Sequence, residues 1–277
     1  MLTWFDDLVL VLKSMETISS VDGTQIAYER TGSGPPLVLV HGTSADHTRW
    51  EIVRSPLEEH ATVYAIDRRG RGESGDSPDY ALEREFEDVA AVVDSIGEPV
   101  ILLGHSYGAL CSLEAALRTD NLSKLILYEP PFPVGDSFPD TADVVSEMKA
   151  LYEDDAAEDA LVLFFTEVAR VPPMELDALR AAPNWPNRVA AVNTVIREVL
   201  APTQYEFDAS RFEDLTVPTL LLSGSESAPF LKDAVETLRV VFPNNRVVVF
   251  DGHAHAVMNT APDRFVDEVL VFIQEPS

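Results

Sequence analysis

Residues 100–117, VILLGHSYGALCSLEAAL, carry a dense apolar strand pattern into Gly104-His105-Ser106-Tyr107-Gly108 and straight on into a helical pattern. Few folds accommodate that passage. Turning from strand to helix in so few residues strains the backbone at the central serine, and glycines two before and two after it supply the room. G-x-S-x-G occurs by chance in many loops, so the apolar strand before it and the helix after it are what give it meaning here. Ser106 is then presented at a helix N-terminus, where partial positive charge favours a developing anion.

Around this segment the chain alternates between two periods. Thr24–Glu29, Leu37–Val40, Val63–Ile66, Val100–Leu103, Leu125–Tyr128, Thr219–Leu222 and Val247–Phe250 read as strands, most of them short continuous apolar runs of the kind buried on both faces. Leu82–Ile96, Tyr107–Leu117, Phe230–Val241 and Pro262–Ile273 read as helices. Crossovers long enough to hold a helix predict a mostly parallel sheet with helices on both faces, an α/β class. With 277 residues, 46% of them hydrophobic, the chain is long enough to bury one large core.

The alternation fails between Pro130 and Asp214, where helix-like patterns dominate and no strand is evident. The expected organisation is therefore an N-terminal arm at 1–15, a core formed by 16–131 with 214–277, and a helical insertion at 132–213. Within the insertion, Asp140 to Asp159 holds eight carboxylates against one lysine, so one face must be solvated. Leu161, Phe164, Phe165, Val168, Met174 and Leu176 supply an apolar face. The opening MLTWFDDLVLVLKSM carries Asp6 and Asp7 where a secretion signal has positive charge, and reads as a short arm or as a start assigned upstream of Met15.

Charge narrows the function. There are 47 acidic and 20 basic residues, a formal charge of −27, and such a field repels nucleic-acid phosphates and anionic lipid surfaces. With 13 Phe, 7 Tyr and 3 Trp the chain does not have the composition of an acidic disordered protein. The acidity belongs on a folded surface, as in adaptation to high salt, and stability is then expected to rise with molar KCl. No uninterrupted apolar run is long enough to span a membrane. Cys111 is the only cysteine, which fits a reducing cytoplasm. The six histidines form no metal-ligand cluster and no dinucleotide fingerprint follows a strand, so neither a metal nor an organic cofactor is expected. On oligomeric state the sequence is silent.

The remaining chemistry gathers at strand ends. His41-Gly42 closes the strand Leu37–Val40, where backbone N–H groups are needed to hold an oxyanion. The N–H groups of Thr43 and Tyr107 are the expected donors. His41 reads as an ordering group for that loop rather than a catalytic one. A serine hydroxyl also needs a base to take its proton, and the late candidates are His253 and His255, after the last strand.

Taken together, the His-Gly turn, the DRRGRGESGDS loop after the next strand, the nucleophile elbow, the helical insertion and the terminal histidine loop resemble the α/β-hydrolase family over nearly the whole chain. The resemblance implies a helical cap at 132–213 and a Ser-His-acid triad. It makes His255 the base, because Gly252-His253-Ala254-His255 matches the family's G-x-G-H with Ala254 for the second glycine. It makes Asp67–Gly72 a structural turn beside the site, with its arginines bonded to acidic neighbours. At the family's usual acid position, three residues past Gly224, stands Ser227. Two carboxylates compete for that role: Glu226, one residue early, and Glu129 in LILYEPPF, a strand end from which some relatives take their acid. Glu129 is preferred and Glu226 stays open.

A serine at the elbow, where dehalogenases and epoxide hydrolases of this fold carry a carboxylate, implies acyl transfer to water from a small or medium apolar ester. Phe164, Phe165, Met174 and Trp185 are the expected pocket lining, or alternatively pack the cap. A carboxylate-bearing substrate is disfavoured by the overall field, an argument that salt weakens. The same triad supports C–C bond hydrolysis of diketones and cofactor-free perhydrolase or haloperoxidase chemistry. A non-catalytic ligand-binding protein is the reading from a different class, against which the retention of Ser106 and His255 argues.

Overall fold

The computed structural model describes residues 15–276. Eight strands form one sheet: β1 (Met15–Ser19), β2 (Gln25–Gly32), β3 (Pro36–Val40), β4 (Thr62–Ile66), β5 (Val100–His105), β6 (Leu122–Tyr128), β7 (Thr219–Gly224) and β8 (Asn245–Phe250). They lie in the order β1-β2-β4-β3-β5-β6-β7-β8. β1 pairs antiparallel with β2, and β2 with β4; the pairs from β4 through β8 are parallel.

Every residue of β3, β4, β5 and β7 is buried, which is why these strands read as apolar runs without alternation. Their side chains still alternate between faces with the pleat. Leu37 and Leu39 join Trp50, Leu57, Phe265 and Val269 on one face. Val38 and Val40 join Phe86, Val89, Leu110 and Leu113 on the other. Two helical layers therefore sandwich the sheet, as the alternation of periods predicts.

Four helices, Leu82–Ser95, Tyr107–Ala115, Pro229–Val241 and Pro262–Gln274, lie within a residue or two of their expected bounds. Among the elements that escaped the sequence reading are a helix and an edge strand. Glu51–Glu58 is a helix despite Pro56, and it buries Val53 and Leu57. Met15, assigned to the arm, opens strand β1, whose residues are only partly buried and so leave no apolar pattern. The rest of the arm, residues 1–14, lies outside the described residues.

Between β6 and β7 the chain is helical. Ala142–Glu153, Ala157–Leu163, Pro173–Ala181, Trp185–Ala190 and Val192–Leu200 surround an apolar cluster of their own, with Val145, Met148, Leu161, Phe164, Phe165, Trp185, Val192 and Val195 at its centre.

Candidate active site

Three of the sequence-predicted residues, Ser106, Glu129 and His255, follow the C-terminal ends of the parallel strands β5, β6 and β8. Ser106 follows β5 directly and has φ 56 and ψ −127, a conformation that L-residues rarely adopt. Five non-glycine residues have positive φ among those described, and three of them, Ser44, Ser106 and Glu129, lie just beyond β3, β5 and β6. Each such residue costs of order 1–3 kcal/mol, and strain of this kind gathers at functional sites.

The elbow is held by close packing. A Cβ on Gly108 would sit 2.3 Å from the Val40 carbonyl oxygen and 2.5 Å from that of His41, so only glycine lets the helix press on the end of β3. On the other side, a Cβ on Gly42 would sit 2.9 Å from the Ser106 Cβ and 3.4 Å from its Oγ. The Gly42–Ser44 turn thus runs past the serine hydroxyl. Tyr107 is the first residue of its helix, so its N–H has no acceptor within the helix. The N–H of Thr43 meets no acceptor among the described residues. Ser106 is partly exposed, and its hydroxyl has no protein hydrogen-bond partner among them.

His255 and Glu129 are in direct contact. His255 Nδ1 lies 2.5 Å from Glu129 Oε2. Oε1 of the same carboxylate accepts from the Gly224 N–H at 2.7 Å and from the Ser223 hydroxyl at 3.0 Å. Glu129 is fully buried. Burial alone would push its carboxyl up; the hydrogen bond and charge of His255, with the Gly224 N–H, hold it below the ordinary carboxylate range. An ionised acceptor on Nδ1 fixes the proton there and leaves Nε2 as a free base. Glu226 is exposed, and among the described residues its carboxylate accepts only from the neighbouring Ser225 hydroxyl, at 3.2 Å. Of the two candidate acids, the fold brings Glu129 to His255 and leaves Glu226 at the surface.

Two side chains from the strand ends pin the histidine loop. The Tyr128 hydroxyl donates to the Ala254 carbonyl at 2.7 Å and accepts from the Val257 N–H at 3.2 Å. His105 Nε2 donates to the His255 carbonyl at 2.8 Å, and the two imidazole centroids are 4.7 Å apart. Burial and the nearby His255 and Arg49 push the His105 imidazole well below its ordinary value, so it is neutral. His253 instead contacts the Thr260 hydroxyl at 2.9 Å. His41 is buried, donates from Nδ1 to the Gly42 carbonyl at 2.8 Å and accepts the Arg68 N–H at 3.1 Å, an ordering role for the turn.

The arginine loop packs beside this centre. Arg69 makes two bonds to Asp88 and one to Asp22. Arg68 pairs with Glu85 at 3.1 Å and Glu198 at 2.8 Å, and Arg71 pairs with Glu198 at 2.8 Å. All four groups of that cluster are buried, and Glu198 comes from the insertion helix Val192–Leu200. Burial pushes the Glu198 carboxyl up, but Arg68 and Arg71 together hold it below the ordinary range. Arg68 also lies over the Tyr107 ring, 4.6 Å from its centroid.

The expected pocket lining is corrected by the packing. Met174 is 81% exposed: Pro172-Pro173 starts a new helix whose inward position is Leu176, so Met174 faces out. Inside the insertion's own cluster Phe165 stacks on Trp185 with centroids 5.9 Å apart and meets Phe164 at a tilt with centroids 5.2 Å apart, so the three rings pack the insertion's interior. Toward the turn after β3 the insertion makes polar contacts. Asn184 donates to the Thr48 hydroxyl at 3.1 Å, and Arg188 donates to the Ser44 carbonyl at 2.6 Å. Arg49, from the turn after β3, reaches Asn259 Oδ1 at 2.8 Å and Met258 Sδ at 2.9 Å, just past the histidine loop. Neither arginine was singled out in the sequence.

Known proteins match this architecture along nearly its full length. An alpha/beta hydrolase from Sphaerobacter thermophilus DSM 20745 is 36% identical and superposes with a TM-score of 0.82, covering 94% of this chain and all of that one. The esterase RhEst1 from Rhodococcus sp. ECU1013 is 26% identical, with a TM-score of 0.74 and coverage of 95% and 100%. A pimeloyl-acyl-carrier-protein methyl ester esterase of Aeromonas hydrophila is 26% identical over 255 residues, 90% of this chain and 99% of that protein. With residues 37–268 matching the family as a whole, the chain belongs to the alpha/beta hydrolase family.

Proposed function

We propose that this chain is a serine hydrolase that cleaves a carboxylic ester, or a related acyl bond, through a Ser106-His255-Glu129 triad and an acyl-enzyme. The observation that carries the reading is the buried Glu129 carboxylate on His255 Nδ1, beside a serine held in strained backbone. In this mechanism His255 Nε2 takes the Ser106 proton as Oγ attacks the substrate carbonyl. The N–H groups of Thr43 and Tyr107 receive the oxyanion. The imidazolium, steadied by Glu129, gives its proton to the departing alcohol. His255 then deprotonates a water that attacks the acyl-enzyme, and collapse releases the acid and restores Ser106. The helical segment at 132–213 acts as a cap over the strand ends, held there by Glu198, Asn184 and Arg188.

Two of the similar proteins are esterases by name, which favours esters over the C–C and peracid reactions open to the same triad. The test is a panel of short p-nitrophenyl esters, a diketone and a peracid assay, with fluorophosphonate labelling of the protein. Ester turnover and labelling, both abolished in Ser106→Ala, are the expected result. An unlabelled protein that turns over none of the three would overturn the proposal.

A further inference from the structure

In a chain of charge −27, most of the described arginines near this site have carboxylate partners: Arg54, Arg68, Arg69, Arg71 and Arg197 are all ion-paired. Arg49 and Arg188 are the exceptions. No carboxylate among the described residues lies within ion-pair distance of either, although both are partly buried. The charge of Arg188 also reaches Arg49. Burial first and then the charge of Arg188 push the Arg49 guanidinium down to about 10. Burial and Arg71 push Arg188 down as well. Asp46, whose attraction reaches Arg188, stays beyond contact, its Oδ1 engaged by the Thr48 N–H and hydroxyl. Partly buried cations without a carboxylate partner gain from an anion that joins them.

Their positions bracket the candidate centre. Arg188 hangs from the cap onto the Ser44 carbonyl and hydroxyl, two residues past the glycine that touches Ser106. Its Nε is buried with no partner. Arg49 touches Met258 and Asn259, three and four residues past His255, and the adjacent Trp50 packs edge-on against His105 with centroids 6.5 Å apart. One guanidinium thus stands on the oxyanion side and the other on the histidine side, each with N–H donors to spare.

We propose that Arg49 and Arg188 together receive a carboxylate of the substrate, so that this enzyme acts on acyl compounds bearing a free carboxylate, such as half-esters of small dicarboxylic acids. The overall negative field does not oppose this, because exposed charges are screened over about 8 Å at physiological salt whereas the two guanidiniums would act at contact. The proposal rests on the serine-hydrolase reading for turnover, though carboxylate binding can be measured without it.

The test compares kcat/KM for monomethyl glutarate with methyl pentanoate, and for O-acetylglycolate with propyl acetate, at fixed ionic strength, in the wild type, Arg188→Gln and Arg49→Gln. Glutamine at 188 keeps a donor for the Ser44 carbonyl and removes the charge. A charge-assisted carboxylate contact corresponds to roughly a 10–100-fold preference for one half-ester over its neutral partner, and that ratio should collapse in both variants. A merely structural role for Arg188 on the oxyanion turn lowers both rates of a pair alike and preserves the ratio. A wild-type ratio near one, or a ratio that survives both substitutions, overturns the proposal and leaves the hydrolase reading intact. Absence of all ester turnover with no fluorophosphonate labelling counts instead against the hydrolase reading. In that event glutarate binding to the Ser106→Ala protein decides the matter: a Kd weakened about 10-fold or more by either arginine substitution supports the site, and an unchanged Kd or no binding sinks it.

Discussion

Replacing Glu129 by glutamine isolates what its negative charge does. The amide is nearly isosteric, and its oxygen can still accept from the Gly224 N–H and the Ser223 hydroxyl, so the strained exit from β6 should survive. The contact to His255 Nδ1 changes character, because an amide NH2 placed there donates and favours the tautomer with its proton on Nε2, the nitrogen that must stay unprotonated to serve as the proposed base. By the triad template that error lowers kcat about 10⁴-fold, or about 5.5 kcal/mol of barrier. Stability moves too. A hydrogen bond to a buried charged group contributes roughly 1.5–3 kcal/mol. Since the folded carboxyl sits below its ordinary value, that contribution is complete above the unfolded-state value of about 4.3 and is lost as pH falls through the folded one. The Tm gap between wild type and Glu129→Gln should therefore be widest at neutral pH and close in acid. Kinetics on a p-nitrophenyl ester and melting curves from pH 7 down to pH 3 read both effects. If Glu129→Gln keeps kcat within tenfold of wild type while Glu226→Gln loses thousands-fold, the assignment of the acid is wrong.

Other outcomes follow from the packing. Gly108→Ala places a methyl 2.3 Å from the Val40 carbonyl oxygen, and backbone atoms have nowhere to yield; overpacking of about 1–3 kcal/mol should lower Tm by roughly 2–10 °C and misalign the elbow, whereas Gly97→Ala, with nothing near its added Cβ, should melt like wild type in the same scan. Glu198→Ala leaves Arg68 and Arg71 facing each other without their shared carboxylate, a loss of about 3–5 kcal/mol readable in urea unfolding. Glu236→Ala, which removes an exposed pair to Arg239, should leave the urea midpoint unmoved.

How much of this could be read from the chain itself depends on whether the information was local. Ser106 announces itself because strand, turn and helix are consecutive and the turn tolerates few residues. The apolar runs of β3, β4, β5 and β7 were equally plain, since burial on both faces removes alternation. The short edge strand β1, partly exposed throughout, left no such trace. The acid stayed divided between two glutamates because its selection depends on a φ of 48 at Glu129 and on the Gly224 N–H, supplied by a strand 95 residues away. Met174 misled because apolar character was read across Pro172-Pro173, where the helix phase restarts. Arg49 and Arg188 carry no sequence signal at all: what distinguishes them is the absence of a carboxylate beside them, a property of tertiary structure alone.

The Glu198 carboxylate sits on the segment between β6 and β7, while both of its arginines belong to the loop after β4. Swinging the helix Val192–Leu200 outward as a rigid flap would therefore tear apart a buried ionic joint, leaving Arg71 and Glu198 without each other and Arg68 with Glu85 alone, at a cost of several kcal/mol. The contacts of Asn184 and Arg188 to the turn after β3 are single hydrogen bonds, and they give way at far lower cost than that joint. The joint thus anchors the helical segment between β6 and β7 to the loop after β4 more firmly than its polar contacts to the turn after β3 do.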